Sequence, residues 1–188
     1  LLQYRNSYGL EKEIPYWNKV QEMMMKLEGS SMKDYGRVFE NLSVSVNRDA
    51  TSGFIRADRD KFNLEINDIL LTAVARAYCR YTGCGVFSLQ LEGHGRENIQ
   101  EGLVIDRTIG WFTSIYPVVF NGISTENLPE GTEGDINSLK SDIIKVKDCL
   151  HRVPNKGVGY GVLRYLDGEH KTDYSKETIA QIGFNYLG

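Results

Sequence analysis

The 188-residue sequence has only three cysteines, three histidines, four prolines and two tryptophans, and the scarcities narrow what the chain can be. Cys79, Cys84 and Cys149 are an odd set with no paired framework. They fit free thiols in a reducing cytosol. Cys79 and Cys84 have no further Cys or His beside them, and His94, His151 and His170 lie far apart. The ligand spacings of zinc sites, H-E-x-x-H among them, are therefore missing. The longest apolar runs, ILLTAVA and IYPVVF, are much shorter than the roughly 20 residues that span a bilayer. A net charge of −3 gives no general attraction for nucleic acid or anionic lipid. No G-x-x-x-x-G-K-[ST] occurs, GHGREN and GVGYGV do not spell G-x-G-x-x-G, and there is no G-x-S-x-G elbow. The opening, LLQYRNSYGLEKE, has no signal-peptide layout and no initiator Met, so the chain is expected to be an internal piece of a longer polypeptide.

What remains is ordinary globular material, 41% hydrophobic and 25% charged. IPYWNKVQEMMMKLEG reads as an amphipathic helix with Pro15 in its first turn, Gly29 as its stop and Met23 to Met25 as gap-fillers. Val38, Leu42, Val44 and Val46 alternate with polar residues and predict a half-buried strand within 36–51. Ile66, Ile69, Leu70, Ala73 and Ala77 form an apolar stripe on a helix ended by Gly83. CGVFSLQLEGHG and WFTSIYPVVF read as strands, with the polar loop 121–134 after the second. Ile136, Leu139, Ile143, Val146 and Leu150 predict another helix, with Lys140, Lys145 and Lys147 on its solvated face. GVGYGVLRYL and QIGFNYLG read as short strands by composition. The sum is a mixed α/β sheet layer with no internal repeat.

LEGHGRE, residues 91–97, crowds two carboxylates, a histidine and an arginine where the backbone is most permissive. A glutamate at a strand end followed by glycine can be aimed into a cleft. Partial burial would raise its pKa toward neutrality and fit it for general acid/base work. Arg96 would hold an oxyanion or orient the carboxylate. An exposed turn with a weak Arg–Glu pair is the plain alternative.

The motif does not stand alone. NDILLTA (67–73), EGHGRE (92–97), DRTIGWFTS (106–114), PNKGVGYGVLRY (154–165) and FNYLG (184–188) follow in order, with EIPYW (13–17) ahead of them. This series closely resembles the epimerization domains of non-ribosomal peptide synthetases and, more distantly, their condensation domains. The resemblance implies a chloramphenicol-acetyltransferase-like fold, in which two α/β lobes flank an active-site channel. It implies inversion of the α-carbon of an aminoacyl or peptidyl thioester. The substrate is carried on the phosphopantetheine arm of a carrier domain, and no metal or other cofactor is required.

By the same resemblance Glu92 is the acid/base glutamate, Arg96 supports it, and Asn185 and Tyr186 complete the catalytic set. Tyr160, Trp111 and His94 are the implied substrate-side motif residues, with packing expected of Trp111 and a structural hydrogen bond of His94. Asp106, Arg107 and Thr113 belong to the motif that shapes the channel. The family's second catalytic group is a histidine in H-H-x-x-x-D-G, and no His-His pair occurs here. Residues 1–188 are thus expected to be one C-terminal lobe, inactive without its N-terminal partner. The implied partners are that lobe, a peptidyl carrier domain and neighbouring adenylation and condensation domains, in the cytoplasm. Half of an amide-forming condensation domain and a non-catalytic carrier-docking module are the competing readings. EGHGRE and GWFTS favour epimerization.

Overall fold

A computed structural model describes residues 1–27, 40–49, 51–52, 63–99, 105, 107–166, 180 and 182–186. In chain order the elements are α1 (Leu2–Arg5), α2 (Tyr8–Leu27), α3 (Ile66–Thr82), β1 (Val86–Gly93), β2 (Ser114–Asn121), α4 (Glu133–His151), a 3-10 turn (Pro154–Gly157), α5 (Val158–Tyr165) and β3 (Gly183–Phe184). The sheet runs β2-β1-β3. β1 and β2 are antiparallel from Val86↔Asn121 to Gly93↔Ser114, and β3 lies parallel to β1 with Leu91↔Phe184. The apolar residues of β1 and β2, Phe87, Leu89, Val118 and Phe120, are buried with Trp17, Val146, Val162 and Leu163. This is the mixed α/β layer the pattern predicts, with helices flanking one mixed sheet.

Helix α3 carries a capping box. The Asp68 carboxylate accepts from the Glu65 N–H at 2.9 Å, and Gly83 ends the helix at φ 68°. Its buried face, however, is Asp68, Leu71, Thr72, Ala75, Arg76 and Cys79, while Ala73 and Ala77 are exposed. The predicted apolar stripe is rotated away because the core side of this helix is polar and paired. Arg76 donates to Asp142 at 2.7 Å and to Asp135 at 2.9 Å on α4, and the Thr72 hydroxyl donates to the Asp68 carbonyl. The same ion pairs turn α4. Asp142 and Val146 are its buried residues, and Ile136 and Leu139 of the expected stripe are exposed. Lys145 and Lys147 are not merely solvated. Lys145 donates to Asp142 and to the Gly122 carbonyl, and Lys147 to the Asn63 carbonyl.

Three further expectations are corrected. Pro15 lies well inside α2 rather than in its first turn. Pro15 is exposed, as is Glu11 four residues earlier, so the carbonyl left without an N–H partner faces water. Residues 40–47 are not a strand, and Leu42, Val44 and Val46 are exposed at 92%, 82% and 68%. Alternation alone makes no strand without a neighbour to pair with, and none pairs with this segment among the described residues. Val38 and Gly29 lie outside them. GVGYGVLRYL is helix α5, not a strand, with Val158, Tyr160, Val162 and Leu163 buried. Among its described residues QIGFNYLG contributes only the two residues of β3.

The reason α5 is a helix with glycine in it is Glu13. This carboxylate is 3% exposed. It accepts from Trp17 Nε1 at 2.8 Å, from Asn155 Nδ2 at 2.7 Å and from the Tyr4 hydroxyl. Burial, and then the bond to Glu13, push the Tyr4 phenol well above its ordinary pKa, which keeps it a donor. A Cβ on Gly159 would lie 1.9 Å from Glu13 Oε2, so only glycine lets α5 approach the carboxylate. EIPYW and PNKGVGYG are thereby one contact, not two motifs.

Gly159→Ala is expected to destabilise the fold by more than about 2 kcal/mol through this collision. Gly161, two residues on, has nothing within 4 Å of its would-be Cβ. Gly161→Ala should be neutral or stabilise by up to about 1 kcal/mol through helix propensity. Urea unfolding of the two variants, side by side, checks both.

Candidate active site at the end of strand β1

Glu92 is the penultimate residue of β1, opposite Ile115 of β2. Because Leu91 pairs with Phe184 in the parallel register, the next residue of each strand end, Glu92 and Asn185, come side by side. Asn185 Nδ2 donates to Glu92 Oε2 at 3.2 Å. Glu92 is exposed. The burial expected to tune it is not supplied by this chain's own described atoms.

The two glycines of E-G-H-G have separate steric causes. A Cβ on Gly93 would meet Ser114 Oγ at 2.8 Å and the Lys156 carbonyl oxygen at 2.9 Å. Ser114 Oγ itself donates to that carbonyl at 2.9 Å. Gly95 has φ +67°, and its Cβ would fall 1.5 Å from the Phe112 carbonyl oxygen. Asn155 and Lys156 both take positive φ, 42° and 45°, a conformation costly for side-chain-bearing residues. Asn155 is held there by its bonds to Glu13 and to the Tyr4 hydroxyl. The corner it makes brings the Lys156 carbonyl against the end of β1.

A cleft of about 360 Å³ opens beside Glu92. Glu92, His94, Asn185 and Tyr186 line it together, so four of the seven expected site residues meet. Asp68, Tyr116, His151 and Lys156 line it too and were not singled out from sequence. Asp68 and Lys156 fall in the NDILLTA and PNKG motifs, which was the available signal. Tyr116 and His151 carried none. Burial pushes the Asp68 carboxyl above its usual range, against the pull of its Glu65 hydrogen bond.

Arg96 does something other than orient Glu92. Its Nη1 donates to the carbonyls of Ile105 at 2.6 Å and Thr108 at 3.0 Å, and Nη2 to Gly110 at 3.2 Å. Its guanidinium lies over the Phe112 ring, 4.6 Å from the centroid. The planar fork is spent on fastening the β1–β2 connection. His94 braces the same loop: Nδ1 accepts from the Arg96 N–H at 3.0 Å and Nε2 lies 3.2 Å from Glu97 Oε1. That is the structural hydrogen bond expected of it.

Trp111 is not packed as expected but 91% exposed, because β2 starts only at Ser114. It lines a second, largely apolar cleft of about 540 Å³ with Thr113 and Ile115. Tyr160 lines neither cleft. It is buried against Trp17 at 5.2 Å between ring centroids, and its hydroxyl accepts from Arg164. Asp106 lies outside the described residues, and Arg107 is exposed.

Replacing the Arg96 fork by an ammonium loses the shared grip on three carbonyls. Arg96→Lys should cost about 1–3 kcal/mol. Glu92→Gln, at an exposed site, should stay within about 0.5 kcal/mol. Chemical unfolding gives the difference, and amide exchange should quicken at 107–113 in Arg96→Lys alone.

The comparisons with known proteins agree with one another. The condensation domain family model matches residues 1–188. Bacitracin synthase 3 of Bacillus licheniformis is 38% identical over 98% of this chain, which spans 3% of that protein's length. Bacitracin synthase 1 of the same organism is 37% identical over 100% of the chain and 3% of its own length. Among solved structures, the epimerization domain from the third module of tyrocidine synthetase B matches with a TM-score of 0.70 and 31% identity. That match covers 98% of this chain and 40% of the other. The first condensation domain of the CDA synthetase matches in fold, with a TM-score of 0.53 and 18% identity over 88% of this chain and 33% of its own. The fold is the chloramphenicol-acetyltransferase-like one of these domains, and the chain belongs to the condensation domain family.

Proposed function

We propose that the chain is the C-terminal lobe of a peptide-synthetase epimerization domain, in which Glu92 moves the α-proton of a carrier-bound aminoacyl or peptidyl thioester. The observation that carries this reading is the Glu92–Asn185 pair at the open end of β1. A carboxylate is fixed there by one donor, faces a cleft and has its second oxygen without a partner among the described residues. The likeness to a solved epimerization domain, at a higher identity than to the condensation domain, supports it.

Glu92 takes the α-proton from one face of the α-carbon, and the electron pair is delocalised onto the thioester oxygen. Return of a proton to the opposite face inverts the centre. The second acid/base group belongs to the H-H-x-x-x-D-G histidine of the N-terminal lobe, and packing of that lobe supplies the burial that Glu92 lacks here. Asn185 orients the carboxylate, and Tyr186 borders the same cleft. The thioester arrives on the phosphopantetheine arm of a peptidyl carrier domain, with adenylation and condensation domains as neighbours in a cytoplasmic assembly. The isolated chain is inactive on this reading.

The test is α-proton exchange. A two-lobed domain containing this chain is given a carrier loaded with an L-aminoacyl thioester in D2O, and the released amino acid is read for deuterium and chirality. Deuterium with a D/L mixture is expected, falling by about 100-fold or more in Glu92→Gln. Amide bond formation without exchange would make the domain a condensation catalyst instead. Carrier binding with neither reaction would leave a docking module.

A further inference from the structure

We propose that Tyr116 is a further catalytic group of this cleft, its phenol donating a hydrogen bond to the thioester oxygen as negative charge builds there. The proposal rests on the epimerization reading above. Tyr116 lines the Glu92 cleft yet is only 6% exposed. Its hydroxyl makes no hydrogen bond among the described residues. The other deep tyrosines are satisfied: Tyr4 donates to Glu13, and Tyr160 accepts from Arg164. The hydroxyl is not among the buried polar atoms that lack a partner, so the ring is buried while its oxygen reaches solvent, where a ligand oxygen can take the place of water.

The ring that carries this hydroxyl is locked. Tyr116 sits opposite Leu91 in the β1–β2 register, one step from Glu92 and Ile115, so the two side chains leave the sheet on opposite faces. Both residues nevertheless line the same cleft at the strand end. Gly157 lies flat on the ring: its Cβ would fall 1.9 Å from Tyr116 Cδ1. The Trp17 ring meets it edge-on at 6.4 Å. Burial, with the Glu97 carboxylate adding to it, pushes the phenol up to about 12. It therefore stays protonated through the neutral range.

The step balances simply. Glu92 accepts the α-proton, the C–H pair becomes the Cα–C double bond, and the carbonyl π pair moves to oxygen. Tyr116 holds that oxygen by a hydrogen bond and keeps its own proton. Reprotonation at carbon reverses the electron flow. The group is preorganised where charge develops, which is how an oxyanion donor accelerates a reaction.

Tyr116→Phe in the two-lobed domain is the test, with the same loaded carrier in D2O. The exchange kcat should fall about 100-fold, with the KM for the carrier domain unchanged. The urea midpoint should not fall, because no hydrogen bond within the protein is lost. A wild-type exchange rate in Tyr116→Phe overturns the proposal while leaving the Glu92 reading intact. Absence of exchange in the parent domain overturns both. If Tyr116→Phe does not fold, 3,5-difluorotyrosine at position 116 decides. Its more acidic phenol should move the alkaline loss of exchange to lower pH, and an unmoved profile counts against the assignment.

Discussion

One buried carboxylate organises this fold. Glu13 has been taken out of water, and a carboxylate there persists only if its lone pairs are filled. Three donors fill them, from three places in the sequence: the hydroxyl of Tyr4 on α1, the indole of Trp17 one turn along α2, and the amide of Asn155 in the 3-10 turn. Removing the acceptor would strand the Tyr4 hydroxyl and the Trp17 indole and leave Asn155 with Tyr4 alone, at about 1–3 kcal/mol for each buried group left unsatisfied. The demand spreads outward. Asn155 must adopt positive φ to reach Glu13, Lys156 follows it, and Gly159 must lack a side chain for α5 to close over the carboxylate. The Lys156 carbonyl then meets Ser114 and leaves no room beside Gly93. Through these contacts a residue near the N-terminus shapes the end of the strand that carries Glu92.

This explains why the motifs are spaced as they are. EIPYW, PNKGVGYG, EGHGRE and residues 184–186 are distant in sequence and contiguous in the structure. Most of their residues do steric or hydrogen-bonding work around the cleft rather than chemistry in it. Arg96 is the clearest case. In sequence it sits four residues from the glutamate and reads as its electrostatic partner, yet its guanidinium donors are aimed at loop carbonyls. His94 is similar, and Tyr160 is a core residue. The residues free to act on a ligand are fewer: Glu92, Asn185, Tyr186 and the lining groups Tyr116, His151 and Lys156.

Much of the architecture was legible because helices and strands announce themselves by period. Both long amphipathic helices after residue 60, β1, β2 and the loop between β2 and α4 lie where apolar spacing and turn residues put them. What failed was the assignment of faces and of glycine-rich segments. α3 and α4 meet through Arg76, Asp135 and Asp142, so counting apolar residues chose a stripe turned away from the buried face on α3 and one only partly buried, at Val146 and Leu150, on α4. A paired charge looks like a surface charge until its partner, some 60 residues away, is known. α5 looked like a strand because its glycines suggested no helix. Their reason is a carboxylate in another element. The alternation at 40–46 had no such reason to be buried, since pairing is a property of two segments and a single sequence displays one. The family resemblance put Glu92 and Asn185 in one catalytic set but not side by side, because a parallel register between β1 and a two-residue β3 leaves no local mark.

The most direct measurement of this account is a double-mutant cycle between Glu13→Gln and Ser114→Ala, read by equilibrium unfolding. The two side chains share no hydrogen bond and are joined through the Asn155–Lys156 corner. If the buried carboxylate holds that corner against the end of β1, the two losses should fall short of additivity by more than about 0.5 kcal/mol. Losses that simply add would mean that the corner stands without Glu13, and the link from the buried carboxylate to the cleft would be wrong.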